Sequence, residues 1–201
     1  PIEIYYDQKT PNLVTQDINA KVIDRLYEVS RESFESTGHI LVFVAGRKQV
    51  QDIIQTVGPI LEGENFELIG ATSAENQVEL HRKILSQSGK RKIIVATNLF
   101  EASITIAGIG VVIDTLTEKR AETSKVGGLK LVLTRIPKSS AEQRAGRAGR
   151  TRQGVCYRLI TDSDYRKLEY TRPEEIYRVP IFNPIMEIIS AGYNPLELIP
   201  K

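Results

Sequence analysis

Short runs of consecutive apolar residues alternate with amphipathic segments along this 201-residue chain, and this alternation restricts its possible fold more than any other feature. The runs at 40–45 (ILVFVA), 92–96 (KIIVA) and 111–114 (VVID) show no regular polar face. Such runs are typical of strands that are buried on both sides of a parallel sheet. Because segments with helical spacing of apolar residues separate them, the sequence predicts an α/β fold with helices on both faces of a parallel sheet.

Other segments predict what surrounds this sheet. A first helix is expected to start with Thr10 as its N-cap and Pro11 as its first residue. Residues 117–128 are typical of the exposed loop of a β-hairpin insertion, and 183–191 predict a short helical tail. A polar helix over 75–87 is expected to turn its apolar side chains inward, namely Val78, Leu80, Ile84 and Leu85.

An arginine-rich stretch, SSAEQRAGRAGRTR at 139–152, carries the strongest chemical signal. Two overlapping S-x-x-E/Q patterns predict a helix that starts at Ser139 or Ser140 and ends at Gly154. The two glycines inside this stretch weaken a helix, which suggests that something approaches the backbone closely there.

The phase of this helix suggests a phosphate site. At about 100° per residue, Gln143, Arg147 and Arg150 share one face, whereas Arg144 points away and is expected to act through a local ion pair or packing. Arginine forks bind phosphate oxygens in pairs, and a glutamine amide can orient an attacking water. A solvated basic helix explains the spacing equally well, so both interpretations stay open on spacing alone.

Composition limits the partners and the compartment. The net charge is only +2, so any nucleic-acid surface must be a local patch. A single cysteine, Cys156, excludes an internal disulfide and favours a reducing intracellular compartment, the cytoplasm or the nucleus. We expect no metal held by protein side chains alone and no membrane span. The chain begins at Pro1 without a methionine, and we expect it to be an excised fragment.

Several segments, in this order, resemble the second RecA-like domain of superfamily 2 helicases, and most closely that of DEAH-box RNA helicases and their viral relatives. LVFVAGRKQV (41–50) resembles motif IV, residues 93–114 resemble motif V with its following strand, and 139–150 resemble motif VI. Lys119 matches a lysine common shortly after that strand. The resemblance implies a RecA-like helicase C-terminal domain over 1–180 and a helical tail over 181–201 that leads towards a winged-helix domain outside this chain.

The resemblance also implies roles for single residues. Arg147 and Arg150 would reach the triphosphate, with Arg150 as an arginine finger, and Gln143 would help to place the lytic water. Gly108 and Asp114 would contact the nucleotide, although Asp114 would equally well cap a loop. The nucleic-acid backbone would be bound by residues of motifs IV and V, namely Gly46, Arg47, Thr97, Asn98, Ser103 and Thr105.

Some positions depart from the family pattern. Ala45 stands where motif IV commonly has a threonine, and Phe100 and Ala102 stand where motif V usually has alanine and threonine. No residue matches the aromatic side chain that DEAH enzymes place against adenine, so the sequence leaves the base preference open. Taken without the resemblance, Thr97 and Asn98 also fit a plain asparagine-containing turn.

The chain lacks the other half of an NTPase site. Its sequence contains neither G-x-x-x-x-G-K-[ST] nor D-E-x-H or D-E-x-D. ATP or another NTP with Mg²⁺ is therefore expected to bind mainly to a preceding RecA-like domain, and the isolated chain is expected to be inactive. The interpretation is the second motor domain of an NTP-dependent helicase or translocase that acts on single-stranded RNA. The alternatives are a non-catalytic nucleic-acid-binding module with a degenerate motor fold and a DNA-directed helicase.

Overall fold

The computed structural model describes residues 1–33, 37–62, 64–98, 106–123, 129–149, 153–171 and 182–198. The strands are β1 (Ile2–Tyr6), β2 (His39–Phe43), β3 (Phe66–Ala71), β4 (Arg91–Ala96), β5 (Ile109–Asp114), β6 (Thr117–Thr123), β7 (Leu129–Arg135) and β8 (Gly154–Arg158). The helices are α1 (Thr15–Ser30), α2 (Arg47–Ile60), α3 (Gln77–Leu85), α4 (Lys138–Ala145), α5 (Asp162–Arg166), α6 (Phe182–Ser190) and α7 (Pro195–Leu198).

The chain divides into two compact units. The first comprises Pro1–Lys119 and Leu133–Thr171, and it contains the large sheet with its covering helices. The second comprises Arg120–Val132 and Arg172–Lys201, and it contains α6 and α7. Strands β6 and β7 form a two-stranded sheet, as the predicted hairpin requires, but residues 117–123, which the sequence assigned to its exposed loop, form β6 itself, and Thr117 is buried. The predicted boundary between residues 180 and 181 lies outside the described residues and stays a prediction.

The six-stranded sheet confirms the predicted parallel α/β fold. Its strand order is β1-β8-β5-β2-β4-β3, and every neighbouring pair is parallel. In the register, Phe43 lies opposite Ala96 on one side and Asp114 on the other. The carboxyl ends of the strands therefore meet along one edge of the sheet, the carboxyl edge, and their amino ends meet along the opposite edge, the amino edge.

Helices cover both faces of this sheet, as the continuous apolar runs indicate. Along β2, Ile40 and Val42 point to one face and pack with α1 and α2. Leu41 and Phe43 point to the other face and pack with α3 and α4. This alternation follows the two-residue period of a strand and explains why the run has no polar face. The longest described helix, α1, has 16 residues, and none of the described helices is long and apolar enough to cross a membrane.

Two sequence predictions about helices were wrong in detail. Helix α1 begins at Thr15, because the Thr10 hydroxyl is bound to Asp164 and accepts the N–H of Thr161 instead of capping a helix. In α3, only Leu80 and Ile84 are buried, whereas Val78 and Leu85 are 78% and 60% exposed. A nine-residue helix buries one narrow stripe, and residues four apart fill it.

Candidate functional site

At the carboxyl edge, β2 leads directly into the N-terminus of α2. Gly46 is the N-cap of this 14-residue helix, and no side chain caps its first N–H groups. Arg47 and Lys48 follow at the first two helical positions, and both are exposed. N–H groups that no side chain caps, the positive end of the helix dipole and two cations together favour a phosphate group at this position.

Lys119 adds a third cation to this helix N-terminus. A β-carbon at Gly46 would lie 3.1 Å from Cε and 3.4 Å from Nζ of Lys119, so the lysine side chain lies directly over the glycine. Gly46 is buried and Lys119 is exposed, which leaves the ammonium group accessible to solvent. The family resemblance identified Lys119 but gave it no role. The contact between Lys119 and Gly46 was not predictable from local sequence, because 72 residues separate them.

Thr97 and Asn98 continue this surface after the neighbouring strand β4. The N–H of Val44 donates to the carbonyl of Ala96, so the loops that follow β2 and β4 start side by side. Thr97 is 7% exposed and its N–H donates to the carbonyl of Ala71, whereas Asn98 is exposed. The structure thus brings Gly46, Arg47, Thr97 and Asn98 to one edge. Ser103 and Thr105 lie outside the described residues.

Asp114 also lies at the carboxyl edge, but its side chain is fully buried. Its Oδ1 accepts the N–H of Leu116 at 2.8 Å and an Nη1–H of Arg144 at 2.9 Å. The Arg144 guanidinium also stacks over the Phe43 ring, with Cζ 4.9 Å from the ring centroid. The described contacts therefore make Asp114 a loop cap and an ion-pair partner. Of the two roles expected for Arg144, a local ion pair or packing, Arg144 has an ion pair, but its partner lies 30 residues away in the sequence.

Helix α4 is shorter than predicted. Its N-cap is Pro137, with no side-chain cap, because the N–H groups of Lys138 and Ser139 donate to the carbonyls of Glu169 and Tyr170. The helix ends at Ala145, not at Gly154, so Arg147 lies beyond it. The prediction that Gln143 and Arg147 share one helix face therefore does not apply. Gln143 is nevertheless exposed, and Arg144 is fully buried.

Two glycines after α4 lie in close contact with other parts of the protein. A β-carbon at Gly154 would lie 2.2 Å from the carbonyl oxygen of Ala148, and one at Gly149 would lie 2.5 Å from Cγ1 of Ile2. The close approach expected at this stretch is therefore made at Gly149 by the protein itself. Because Gly154 and Ile2 begin β8 and β1, the turn that contains Arg147 packs at the amino edge. Arg147 is 8% exposed, and Arg150 lies outside the described residues.

Gly108 lies at the same amino edge, immediately before β5. It has a positive φ of 78°, and a β-carbon there would lie 3.3 Å from Cδ2 of His39. Its carbonyl accepts the N–H of His39 at 2.8 Å. Strand β5 pairs with β8, and Val111 lies opposite Val155, so Gly108 and the turn after α4 flank adjacent strand ends. The structure thus separates Gly108 and Arg147 from Asp114 and from the nucleic-acid candidates.

A cavity of about 320 Å³ opens at this edge. Its walls are residues 84–90, which end α3 and lead into β4, and Ile106–Ala107, which precede β5. His39 and Lys92 complete the lining. This volume falls in the range of small-molecule sites.

Cysteine and metal chemistry were also considered for the described residues. The Cys156 side chain is fully buried in β8, and burial raises the pKa of its thiol to about 12, so the thiolate nucleophile is not available near neutral pH. The described part of the chain contains no group of three or more His, Cys, Asp or Glu side chains placed to hold a metal ion.

Comparisons with known proteins agree with this architecture. The chain is 34% identical over 196 residues to the ATP-dependent RNA helicase HrpA of Borreliella burgdorferi. The aligned region covers 96% of this chain and 23% of that protein. It is 37% identical over 166 residues to the probable ATP-dependent RNA helicase DHX35 homolog of Caenorhabditis elegans, covering 79% of this chain and 22% of that protein. The chain spans about a quarter of the length of these curated relatives.

Solved structures give the same result for the fold. The crystal structure of the E. coli DExH-box NTPase HrpB matches with a TM-score of 0.80 and 26% sequence identity, over 98% of this chain and 24% of that one. The family described as the helicase conserved C-terminal domain matches residues 20–152, which include the segments at 41–50, 93–114 and 139–150. The chain therefore belongs to the helicase conserved C-terminal domain family.

Proposed function

We propose that this chain is the second motor domain of an NTP-dependent RNA helicase or translocase. Its family and the names of its relatives, which are ATP-dependent RNA helicases, support this proposal. In the proposed arrangement, the amino edge faces a nucleotide held by a preceding RecA-like domain, and the carboxyl edge faces the backbone of a nucleic acid.

One observation carries the proposal: a single segment joins the two edges. Strands β4 and β5 both run parallel to β2, so β4 ends at the carboxyl edge and β5 begins at the amino edge. Thr97, which follows β4, therefore lies at the carboxyl edge, and Gly108, which precedes β5, lies at the amino edge, with only ten residues between them in the sequence. We propose that movement at Gly108, on the nucleotide-facing edge, is coupled to movement at Thr97, on the nucleic-acid-facing edge, as coupling of hydrolysis to translocation requires.

The carboxyl edge has the chemistry of a backbone site. The N-terminus of α2, with Arg47, Lys48 and Lys119 around it, offers N–H donors and positive charge. Thr97 and Asn98 add polar groups beside it. Such contacts bind phosphate and sugar without reading the bases, so we propose binding that is independent of sequence.

We propose that the amino edge supplies a cation of the NTPase reaction through Arg147. We propose that Arg147 and Arg150 stabilise the negative charge that develops on the transferred phosphoryl group, and that Gln143 orients the attacking water. ATP or another NTP with Mg²⁺ provides the phosphoryl group and its counter-ion. The sequence of this chain has no G-x-x-x-x-G-K-[ST], so we assign the phosphate cradle and the Mg²⁺ ligands to the preceding domain.

NTPase assays on the longer protein that contains both motor domains test this proposal. We expect hydrolysis that is stimulated by single-stranded RNA and that is lost when Arg150 is replaced by alanine. A control with single-stranded DNA of the same length separates an RNA-directed from a DNA-directed enzyme. Binding of RNA without any NTP hydrolysis would instead identify a nucleic-acid-binding module with a degenerate motor fold.

A further inference from the structure

Two adjacent cations at the start of β4 bind the ends of helices on opposite faces of the sheet. Arg91 and Lys92 are only 4% and 2% exposed. Arg91 donates to the carbonyls of Val29, Ser30 and Glu32 at the C-terminus of α1, and to that of Gly38. Because successive strand residues point to opposite faces, Lys92 reaches α3 instead.

Lys92 closes the C-terminus of α3. Its ammonium group donates to the carbonyl oxygens of Lys83, Ile84 and Ser86 at 3.0, 2.6 and 2.5 Å. The last carbonyls of a helix have no partner within the helix, and a cation there also interacts favourably with the helix dipole. Ser86 is the C-cap in an extended conformation, so Lys92 fixes the point at which the chain leaves α3.

The backbone of Lys92 holds the opposite wall of the cavity. Its N–H donates to Nδ1 of His39 at 3.0 Å, which fixes the imidazole ring. This ring packs against Gly108, whose carbonyl accepts the N–H of His39 at 2.8 Å. A continuous set of contacts therefore links the end of α3, through Lys92 and His39, to Gly108.

Both walls of the amino-edge cavity thus depend on one residue. The ammonium group of Lys92 fixes residues 84–86, and its N–H fixes His39 beside Gly108. We infer that Lys92 is a positioning residue that holds the two walls of this cavity at the spacing that the bound nucleoside triphosphate requires. This inference rests on the proposed function, because it takes the amino edge to be the nucleotide-facing surface.

The pair Arg91 and Lys92 provides a matched experiment. Lys92→Met and Arg91→Met each remove a buried cation that binds helix carbonyls, but only Lys92 lines the cavity. In the longer protein with both motor domains, we expect both variants to melt at a lower temperature than the wild type. Lys92→Met alone should raise the KM for NTP, by about tenfold, with kcat at saturating RNA changed less than about twofold.

The outcomes separate the two proposals. Equal KM values for Lys92→Met and Arg91→Met, in a wild-type background that hydrolyses NTP, would overturn the role of Lys92 and leave the proposed function intact. A wild-type protein without NTPase activity would overturn the proposed function itself. If Lys92→Met does not fold, His39→Phe replaces it: this variant keeps a ring but removes the acceptor for the Lys92 N–H, and an unchanged KM would count equally against the inference.

Discussion

Arg144 and Asp114 form an ion pair in which both side chains are fully buried, with Nη1 2.9 Å from Oδ1. The pair joins α4 to the last residue of β5, and the Phe43 ring lies beneath the guanidinium. A charge buried in this way is stable only while its partner is present. Arg144 therefore has a structural role: it fixes α4, the helix that precedes the turn with Arg147, to the sheet.

Replacing Arg144 with alanine should destabilise the fold strongly. The change leaves the Asp114 carboxylate buried without its cation, and breaking a buried pair from one side costs about 3–5 kcal/mol. Urea unfolding of the isolated chain measures this free energy. The matched control is Arg166→Ala, which removes an exposed pair with Asp162 and should cost less than about 1 kcal/mol. Equal losses in the two variants would contradict this account.

The thiol of Cys156 should be unreactive in the folded protein. Burial raises its pKa to about 12, whereas an unfolded cysteine titrates near 8.5, so the folded state favours the neutral thiol throughout this interval. The corresponding contribution to stability is complete below pH 8.5 and is lost as the pH rises towards 12. At pH 8, labelling by iodoacetamide should follow the urea unfolding curve. Rapid labelling of the folded chain would show that the thiol is accessible.

The sequence predicts the sheet well because each strand signal is local. A run such as 40–45 reveals burial on both sides without knowledge of its neighbours, and the parallel α/β fold follows from the alternation of such runs. The three helicase-like segments are also local in sequence, and they were sufficient to identify the family to which the chain belongs.

The bounds of α4 were not predictable from local sequence, because residues distant in sequence contact the chain on both sides of the helix. Ile2 packs on Gly149, and the carbonyls of Glu169 and Tyr170 replace a serine cap at the start of the helix. The separation of Gly108 from Asp114 has the same origin: the two residues flank one strand, β5, and only the direction of that strand sends them to opposite edges. The family resemblance implied nucleotide contacts for both residues, with a loop cap as the alternative for Asp114.

The isolated chain should not hydrolyse NTP, because the sequence lacks a phosphate cradle. Phosphate release from the purified chain, with Mg²⁺ and saturating RNA present, should equal the rate of the blank. Clear turnover that is lost in Arg150→Ala would show that the chain carries a complete site and would refute the assignment of the cradle to another domain.

Binding of nucleic acid should depend on the cations of the carboxyl edge. Lys119→Ala and Arg47→Ala should each weaken binding equally for different RNA sequences and lower the slope of log K against log salt by about one unit. The control is Arg82→Ala, an exposed arginine near the end of α3 that leads to the amino edge. Fluorescence anisotropy over a salt series measures the slopes. Equal slopes for Arg82→Ala and Lys119→Ala would contradict the proposal that the carboxyl edge binds the nucleic acid.

The arginines near α4 should separate into two classes in the longer protein. Arg150→Ala should lower kcat at saturating RNA by about 10³-fold, as expected for an arginine that stabilises the transferring phosphoryl group, and Arg147→Ala should be comparably severe. Arg147→Ala should change RNA affinity little, because the turn with Arg147 packs at the edge opposite Arg47 and Thr97, and we expect the same of Arg150→Ala because its proposed partner is the nucleotide.

Arg144→Ala provides the contrast, since its guanidinium is bound to Asp114. Its melting temperature should fall, and the protein that remains folded should hydrolyse NTP at a rate near that of the wild type. Measuring NTPase kcat and a melting curve for each variant separates the two classes. If Arg150→Ala kept a normal kcat while Arg144→Ala was inactive but stable, the catalytic role would belong to Arg144 and the assignment of Arg147 and Arg150 would be wrong.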